Sequence, residues 1–365
     1  MIKGKEILSS GPYKVQYDDF YKTIFVRNNF WSNDDIRKAY PDKINLYYNQ
    51  DSTYVANHLI QDVNKNAIIV DSINPKSDIK SLRSQAILNY TSDNRLLYKE
   101  SPYVIYHFFN VKKINDLNIR KAIFYAMNHN LFEADSGDFS GYTAHDSIIS
   151  PTLNLDYTPS TIGNDKDVNF KFSGNLVYAK QLLDLGKNSN PELYNRITDP
   201  KRGLIWITSI LSQAEKYFYN SVVEYFKQIN IYIVIKEVED YYSYILNPNT
   251  DADILRSGWG ADWNNASSVI PTLFLENGGW NVCKNSSDSE YNNIKQKINE
   301  ALLESDRLKQ ADKWKALSQQ IMGRYYAAKI NYIKELVMCG SNIGNFSFNI
   351  VNGNCNLNNL YLKHK

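Results

Sequence analysis

The sequence is poor in the residues and motifs that mark redox, metal or catalytic chemistry. Its three cysteines, Cys283, Cys339 and Cys355, show no C-x-x-C spacing. They allow at most one internal disulfide, for which Cys339 and Cys355 are the better pair, and buried free thiols are the slightly favoured alternative. The five histidines show no metal-binding spacing, and G-x-S-x-G and P-loop motifs are missing. We therefore expect no enzyme, no catalytic residue, no metal site and no cofactor.

Long apolar runs and an excess of one charge are missing as well. No run of eighteen apolar residues occurs, so no transmembrane helix is expected. The start, MIKGKEILSSGPYKV, lacks the apolar core of a signal peptide, which predicts that the chain is not exported by itself if Met1 is its true start. Lys and Arg number 41 against 39 Asp and Glu, a net charge of +2. This balance argues against a nucleic-acid partner.

Tyrosine, in contrast, is abundant, with 28 copies among 365 residues. A tyrosine ring offers a flat apolar face and one polar tip at a low cost in conformational entropy, which suits a binding surface. A general drift of composition towards Tyr, Asn, Ile and Lys explains the count equally well. The length itself predicts two or more domains.

Hydrophobic periodicity predicts a strand-rich beginning followed by an α/β arrangement. Asp116 is expected to cap a helix whose apolar face includes Ile119 and Ile123, and Gly186 is expected to end a second helix that begins near 175. A loop-rich region is expected over 138–172. Further helices are predicted at 52–63, 213–229, 240–246, 288–304 and 307–327. Strands are predicted at 13–17, 22–28, 43–49, 66–71, 101–110, 204–210, 231–238 and 252–257.

Five stretches follow one another in a specific order and spacing. They are SSGPYKV with FVRNNFW (9–15 and 25–31), SPYVIYHFFN (101–110), NDLNIRKAIFYAMNHN (115–130), SGWGADW (257–263) and LLESDRLKQADKWKALSQQIM (302–322). Together they resemble the substrate-binding proteins of bacterial peptide ABC importers, the oligopeptide- and dipeptide-binding type of extracellular solute-binding family 5. In that family GPYKV lies well inside the mature protein. The resemblance therefore implies that this chain corresponds to the C-terminal part of such a protein, without its export signal, lipid-anchored cysteine and first half of lobe I.

The resemblance implies an α/β, two-lobe fold of the type II periplasmic-binding-protein kind, with lobe I incomplete. Residues 1–110 would form a partial, strand-rich lobe I, residues 111–330 lobe II, and residues 331–365 a return segment to lobe I. A ligand would be held between the lobes and buried by hinge closure.

The stretch SGWGADWNNAS (257–267) carries the expected binding site. A strand that ends in Gly258, Trp259 and Gly260 lets the backbone of an extended peptide approach closely. By resemblance to the family, Asp262 would bind the α-ammonium group of the peptide. Trp259 and Trp263 would supply apolar walls or a cation–π face. The alternative is that Asp262 caps the following turn and that both tryptophans belong to the core.

Tyr103 and Tyr106 lie on the segment that crosses between the lobes, where the family lines its cleft with aromatic residues. Two core tyrosines in a strand are an equally reasonable interpretation. Arg120 is expected to be structural, on the polar side of its helix, and to pair with a carboxylate.

These expectations describe a solute-binding component that captures peptides and delivers them to ABC permease subunits in the membrane. It would act as a monomer, at the extracellular face of the membrane or in the periplasm, and a companion fragment would supply the missing part of lobe I. Alone, the chain is expected to bind weakly or not at all. The alternatives are the same fold binding a sugar, nickel or another small molecule, and a glycoside hydrolase using a carboxylate pair such as Asp18–Asp19, Asp34–Asp35 or Glu237–Glu239.

Overall fold

The chain forms two compact units, one from Met1–Lys99 with Glu335–Lys365 and one from Glu100–Lys334. The computed structural model describes residues 9–31, 41–48, 58–59, 61–63, 65–66, 95–127, 141–143, 147–159, 174–211, 213–247, 249–278, 288–349 and 354–363. The predicted helix at 52–63 and the predicted strand at 66–71 lie largely outside these residues.

The first unit begins with a three-stranded antiparallel sheet, whose strands lie close to the predicted runs 13–17, 22–28 and 43–49. Its strands, in the order β1-β2-β3, are β1 (Tyr13–Asp18), β2 (Lys22–Arg27) and β3 (Lys43–Tyr47). Val15, Phe25 and Ile44 lie opposite one another, so they share one face of the sheet. Asp19 shapes the turn before β2, because its carboxylate accepts hydrogen bonds from the backbone N–H of Tyr21 and Lys22.

A six-stranded sheet, in the order β5-β9-β4-β8-β6-β7, organises the second unit. Its strands are β4 (Leu96–Phe109), β5 (Gly141–Thr143), β6 (Leu204–Ser209), β7 (Ile233–Val238), β8 (Ile254–Gly260) and β9 (Ala327–Met338). Strand β6 pairs in parallel with β7 and β8, and β8 pairs antiparallel with β4. The carboxyl ends of β6, β7 and β8 therefore point to the same edge of the sheet, where open α/β sheets bind ligands.

Eight α-helices lie in the described part of the second unit. They are α1 (Leu117–Ala126), α2 (Leu176–Ser189), α3 (Pro191–Ile197), α4 (Gln213–Lys227), α5 (Tyr241–Leu246), α6 (Ile270–Phe274), α7 (Glu290–Leu302) and α8 (Arg307–Gly323). Asp116 caps α1, as predicted, by accepting a hydrogen bond from the N–H of Ile119 at 2.9 Å. Sequence periodicity missed α3 and α6, which are too short to show a helical repeat.

The prediction that Gly186 ends α2 is wrong, because the helix continues to Ser189. A Cβ atom at position 186 would lie 2.5 Å from Cγ1 of Ile119 in α1. The glycine therefore permits close contact between the two helices instead of forming a C-cap.

Alternation along the strands gives the second unit a core on each face of its sheet. On one face, Val104, Tyr106 and Phe108 pack with buried residues of α7 and α8, among them Trp314. On the other face, Phe109 packs with residues of α1, α2 and α4. Directly opposite residues share a face, so the register of β4 with β8 assigns each residue of the candidate site to one of these two sides.

A buried charge cluster joins α1 to the ends of α7 and α8. The carboxylate of Asp288 lies 3.1 Å from Arg120 and 2.8 Å from Arg324. The side chain of Arg120 has no exposed surface and that of Asp288 is 2% exposed. Arg120 does pair with a carboxylate, as predicted, but it does so inside the protein and not on a polar helix face.

The C-terminal return segment forms two short ribbons in the first unit. The ribbons pair β10 (Ile343–Gly344) with β13 (Tyr361–Leu362) and β11 (Phe348–Asn349) with β12 (Asn354–Cys355). Cys339 is buried and forms no disulfide.

Candidate functional site

Strand β8 ends with Gly258, Trp259 and Gly260, as the sequence analysis expected. Gly258 lies opposite Ile105 of β4, and Gly260 lies opposite Tyr103. Both glycines therefore face the same side of the sheet as Tyr103, whereas Trp259 faces the other side.

The ring of Tyr103 lies across both glycines. A Cβ atom at Gly258 would lie 2.7 Å from Cε1 and from Oη of Tyr103, and one at Gly260 would lie 2.9 Å from its Cδ2. The hydroxyl end of the ring thus covers Gly258 and the Cγ end covers Gly260. Tyr103 is nevertheless 41% exposed, so part of the ring remains open to solvent.

Trp259 and Tyr106 are anchored on the opposite side of the sheet. The indole N–H of Trp259 donates to the carbonyl of Ser268 at 2.7 Å, and the ring packs against the core. Tyr106 has no exposed surface, stacks on Phe108 at 4.7 Å and donates its hydroxyl to the carbonyl of Ile148 at 2.7 Å. These contacts make Tyr106 a core residue, as the packing alternative described.

The loop that follows β8, residues 261–268, is called the aspartate loop below. Ala261 is buried, but Asp262 is exposed and Trp263 is 53% exposed. The carboxylate of Asp262 has no hydrogen bond or ion pair with any described residue. Asn265 caps the 3-10 turn Ala266–Ser268 by accepting from the N–H of Ser267. Asp262 is therefore not the cap that the alternative interpretation assumed.

A buried carboxylate that the sequence analysis missed fastens the aspartate loop. Asp156 has no exposed surface, and it accepts hydrogen bonds from the backbone N–H of Ala266 at 2.7 Å and from Arg307 at 2.6 Å. Asn265 adds a bond to Gln310 at 2.8 Å. Arg307 and Gln310 both belong to α8, so the loop is held by two direct bonds, one to Asp156 and one to α8. No motif spacing links residue 156 to residue 266, which explains why the pattern gave no signal.

A group of polar aromatic residues lies near Tyr103 on the same side of the sheet. Tyr241 donates its hydroxyl to the carbonyl of Arg256, and its ring meets that of Tyr242 edge to face at 6.0 Å. Burial raises the pKa of Tyr103, the neighbouring Tyr242 raises it further, and Arg256 lowers it. Tyr242 and Arg256 are exposed. Two open tyrosine rings and one guanidinium group therefore share this part of the surface.

In each described pair considered for glycoside hydrolysis, one carboxylate has structural partners. A hydrogen bond from Tyr17 is the main cause of the lowered pKa of Asp19. The backbone N–H of Leu211 is the main cause of the lowered pKa of Glu237, which also meets Lys216 at 3.2 Å. A general acid needs a raised pKa instead. The pair Asp34–Asp35 lies outside the described residues.

No group of three or more His, Cys, Asp or Glu side chains among the described residues could hold a metal ion. No described helix combines the length and the apolar content needed to cross a membrane.

Comparison with known structures shows the fold. Clavulanic acid biosynthesis oligopeptide binding protein 2 is 18% identical with a TM-score of 0.77, over 98% of this chain and 63% of that protein. AppA from Bacillus subtilis, in complex with a nonapeptide, is 18% identical with a TM-score of 0.65, over 97% and 67%. NikA from Staphylococcus aureus, in complex with Ni(L-His)2, is 15% identical with a TM-score of 0.66, over 97% and 69%. The chain thus spans less than two thirds of the length of the first of these proteins.

These likenesses confirm the predicted α/β fold of the type II periplasmic binding proteins. No curated protein sequence matches the chain significantly. Residues 2–281, more than half of the chain, match the family described as bacterial extracellular solute-binding proteins, family 5 middle. The chain therefore belongs to family 5 of the bacterial extracellular solute-binding proteins, a family of substrate-binding proteins.

Proposed function

We propose that this chain captures peptides for an ABC importer and that Asp262 binds the α-ammonium group of the peptide. The observation that carries the proposal is an exposed carboxylate without a partner among the described residues, on a loop that is otherwise firmly fastened. A carboxylate in such a position keeps its hydrogen-bonding capacity for a ligand. Similar proteins in complex with a nonapeptide or named for oligopeptide binding support a peptide as the ligand.

The surroundings of Asp262 suit the capture of a charged chain end. A charge-assisted hydrogen bond contributes about 1.5–3 kcal/mol. Trp263, half exposed next to Asp262, supplies an apolar wall or a cation–π face. Trp259 supports the loop from the core side through its bond to Ser268. The fastening by Asp156 keeps the loop in one conformation, which lowers the entropy cost of binding.

Family membership supports a wider role, which we propose together with peptide capture. The chain would act outside the cell or in the periplasm, as a monomer, and would deliver its ligand to permease subunits in the membrane. A companion polypeptide would cover the exposed aromatic side chains of the first unit. Phe20 and Tyr21, whose ring centroids lie 5.4 Å apart, are 72% and 67% exposed there, and adjoining exposed apolar side chains suit an interaction site.

Calorimetric titration with unmodified and N-acetylated forms of the same peptides tests the role of Asp262. The chain is titrated alone and together with a polypeptide that corresponds to the part of the oligopeptide-binding relatives it does not span. Asp262→Asn should weaken binding of the unmodified peptides by about tenfold to a hundredfold, because the ammonium group loses its charged partner. The N-acetylated peptides should bind the variant and the original chain equally.

Asp312→Asn is the matched control, because Asp312 lies on α8 and its side chain is 79% exposed. It should leave peptide binding unchanged. Binding of a sugar or of Ni(L-His)2 in place of peptides, with or without the companion polypeptide, would overturn the peptide assignment. Equal loss of affinity for both peptide forms would overturn the role of Asp262.

A further inference from the structure

Tyr103 occupies the place on β8 that two glycines leave open. Its ring extends from Gly260 at the Cγ end to Gly258 at the hydroxyl end, with no side chain between ring and strand. A residue with a Cβ atom at either position would come within 3 Å of the ring and would displace it. The glycines therefore seat the ring of Tyr103, and a ligand backbone cannot reach the same surface while the ring is there.

The seated ring presents a surface to solvent, since Tyr103 is 41% exposed. An aromatic ring held from behind and open in front is a stacking surface, and it has lost its rotamer freedom before a ligand arrives. Tyr242, which is 65% exposed, supplies a second aromatic ring close by. The guanidinium group of Arg256 adds a positive charge on the same side of the sheet.

We propose that Tyr103, seated on Gly258 and Gly260, is a specificity-determining residue that stacks against an uncharged aromatic side chain of the bound peptide. The proposal rests on the peptide-binding function proposed above. Because Arg256 repels a second cation, the surface discriminates against lysine and arginine side chains. At about 3.3 Å per residue, Gly260 and Gly258 lie roughly 7–13 Å along the chain from Asp262. A ring two to four residues from the peptide N-terminus would reach Tyr103.

Position-scanned pentapeptides test this selectivity. Each peptide replaces one residue of Ala-Ala-Ala-Ala-Ala by Phe, Leu or Lys, and its affinity is measured by calorimetry under the conditions in which the chain binds peptides. At one position, Phe should bind about twofold to tenfold more tightly than Leu, as expected for an aromatic pair. Lys at that position should bind no more tightly than Ala.

Two variants should remove the preference by different routes. Tyr103→Ala deletes the ring, and Gly258→Ala forces the ring from its seat. Tyr103→Phe keeps the ring and should keep the preference, which shows that the variant protein folds and that the hydroxyl is not required. The dependence of affinity on the peptide α-ammonium group should stay unchanged in all three variants.

Tyr361→Ala is the matched control. Tyr361 is 52% exposed, and its ring lies against Gly344 in the ribbon of the first unit, where a Cβ atom would come within 2.4 Å of it. The substitution therefore removes the same kind of ring–glycine contact at a distant position in the sequence, and it should leave the Phe preference intact.

The outcomes separate this inference from the function on which it rests. Peptide binding that depends on Asp262 but shows no Phe preference, or a preference that survives Tyr103→Ala, would overturn the stacking role alone. A preference lost equally in Tyr361→Ala would show that ring–glycine contacts only stabilise the fold. Failure to bind any peptide would overturn the peptide function and the stacking role together.

Discussion

Two carboxylates in this protein lie in opposite environments, and the environment decides whether a carboxylate can bind a ligand or only stabilise the fold. Asp262 is exposed and has no partner among the described residues, whereas Asp288 is buried between Arg120 and Arg324. A carboxylate that is saturated by arginines inside the protein cannot bind a ligand, but it can hold elements together. The same residue type thus serves as a candidate ligand group at one position and as a connector at the other.

Asp288→Asn should destabilise the second unit by about 3–5 kcal/mol, because it leaves two arginines without their buried counter-charge. Burial by itself would raise the pKa of Asp288, but the bonds from Arg324 and the N–H of Glu290, with the charges of Arg324 and Arg120, lower it overall. A lowered folded pKa means that the stabilisation is complete above the unfolded value of 3.8 and is lost as the pH falls through the folded value. Urea unfolding at pH 7 and at decreasing pH should show the difference from the variant shrinking below about pH 4.

Glu276→Gln provides the control for this experiment. Glu276 pairs with Lys295 at 2.8 Å, but its side chain is 74% exposed, so the loss should be below about 1 kcal/mol. A comparable loss in both variants, or a difference that does not depend on pH, would contradict the assigned role of Asp288.

At the scale of elements, sequence patterns predicted those helices, strands and caps that are determined by interactions between residues close together in sequence. The alternating run of β1, the β-rich runs of β2 and β3, the cap at Asp116 and the amphipathic faces of α4 and α7 all depend on neighbours in sequence. The prediction for Gly186 was wrong because a C-capping glycine and a glycine at a helix–helix contact cannot be distinguished in the sequence until the partner helix is known. The role of Asp156 was not predicted, because its hydrogen-bond partners are distant in sequence. The burial of Tyr106 could not be predicted for the same reason, since it depends on core residues far away along the chain.

Gly186→Ala tests the helix-contact explanation. Alanine favours a helix over glycine by about 1 kcal/mol, yet its Cβ would overlap Ile119 in the core between α1 and α2. The overlap costs about 1–3 kcal/mol, so the net change should be destabilising. Gly323→Ala in α8, where a Cβ atom meets nothing within 4 Å, should be neutral or stabilising. Thermal unfolding of both variants measures the two changes in stability. Stabilisation by Gly186→Ala would contradict the explanation, because it would show that α1 and α2 separate easily to accommodate the added Cβ atom.

At the scale of the whole molecule, the chain leaves its first unit and returns to it. The predicted boundaries lie at 110/111 and 330/331, whereas the compact units divide at 99/100 and 334/335. These boundaries lie within the continuous strands β4 and β9, so no turn signal or change of period marks them. Only contacts between residues far apart in sequence join the return segment to the beginning of the chain.

Arg95 makes those contacts, and its substitution is the sharpest test of the division. Arg95 is 7% exposed and donates hydrogen bonds to the backbone carbonyls of Cys339 and Leu59. Its guanidinium group also lies 3.2 Å from the carboxylate of Asp62. That carboxylate accepts a hydrogen bond from the backbone N–H of Ser341 in the return segment. Arg95→Gln would leave these buried acceptors without a full set of donors, at a cost of about 2–4 kcal/mol. Differential scanning calorimetry should therefore show one of two unfolding transitions lowered by roughly 10 °C and the other unchanged. Arg27→Gln is the control, because Arg27 belongs to an exposed ion pair of the same unit, and it should shift neither transition. If Arg95→Gln instead lowered both transitions together, the return segment would stabilise the chain as one cooperative unit.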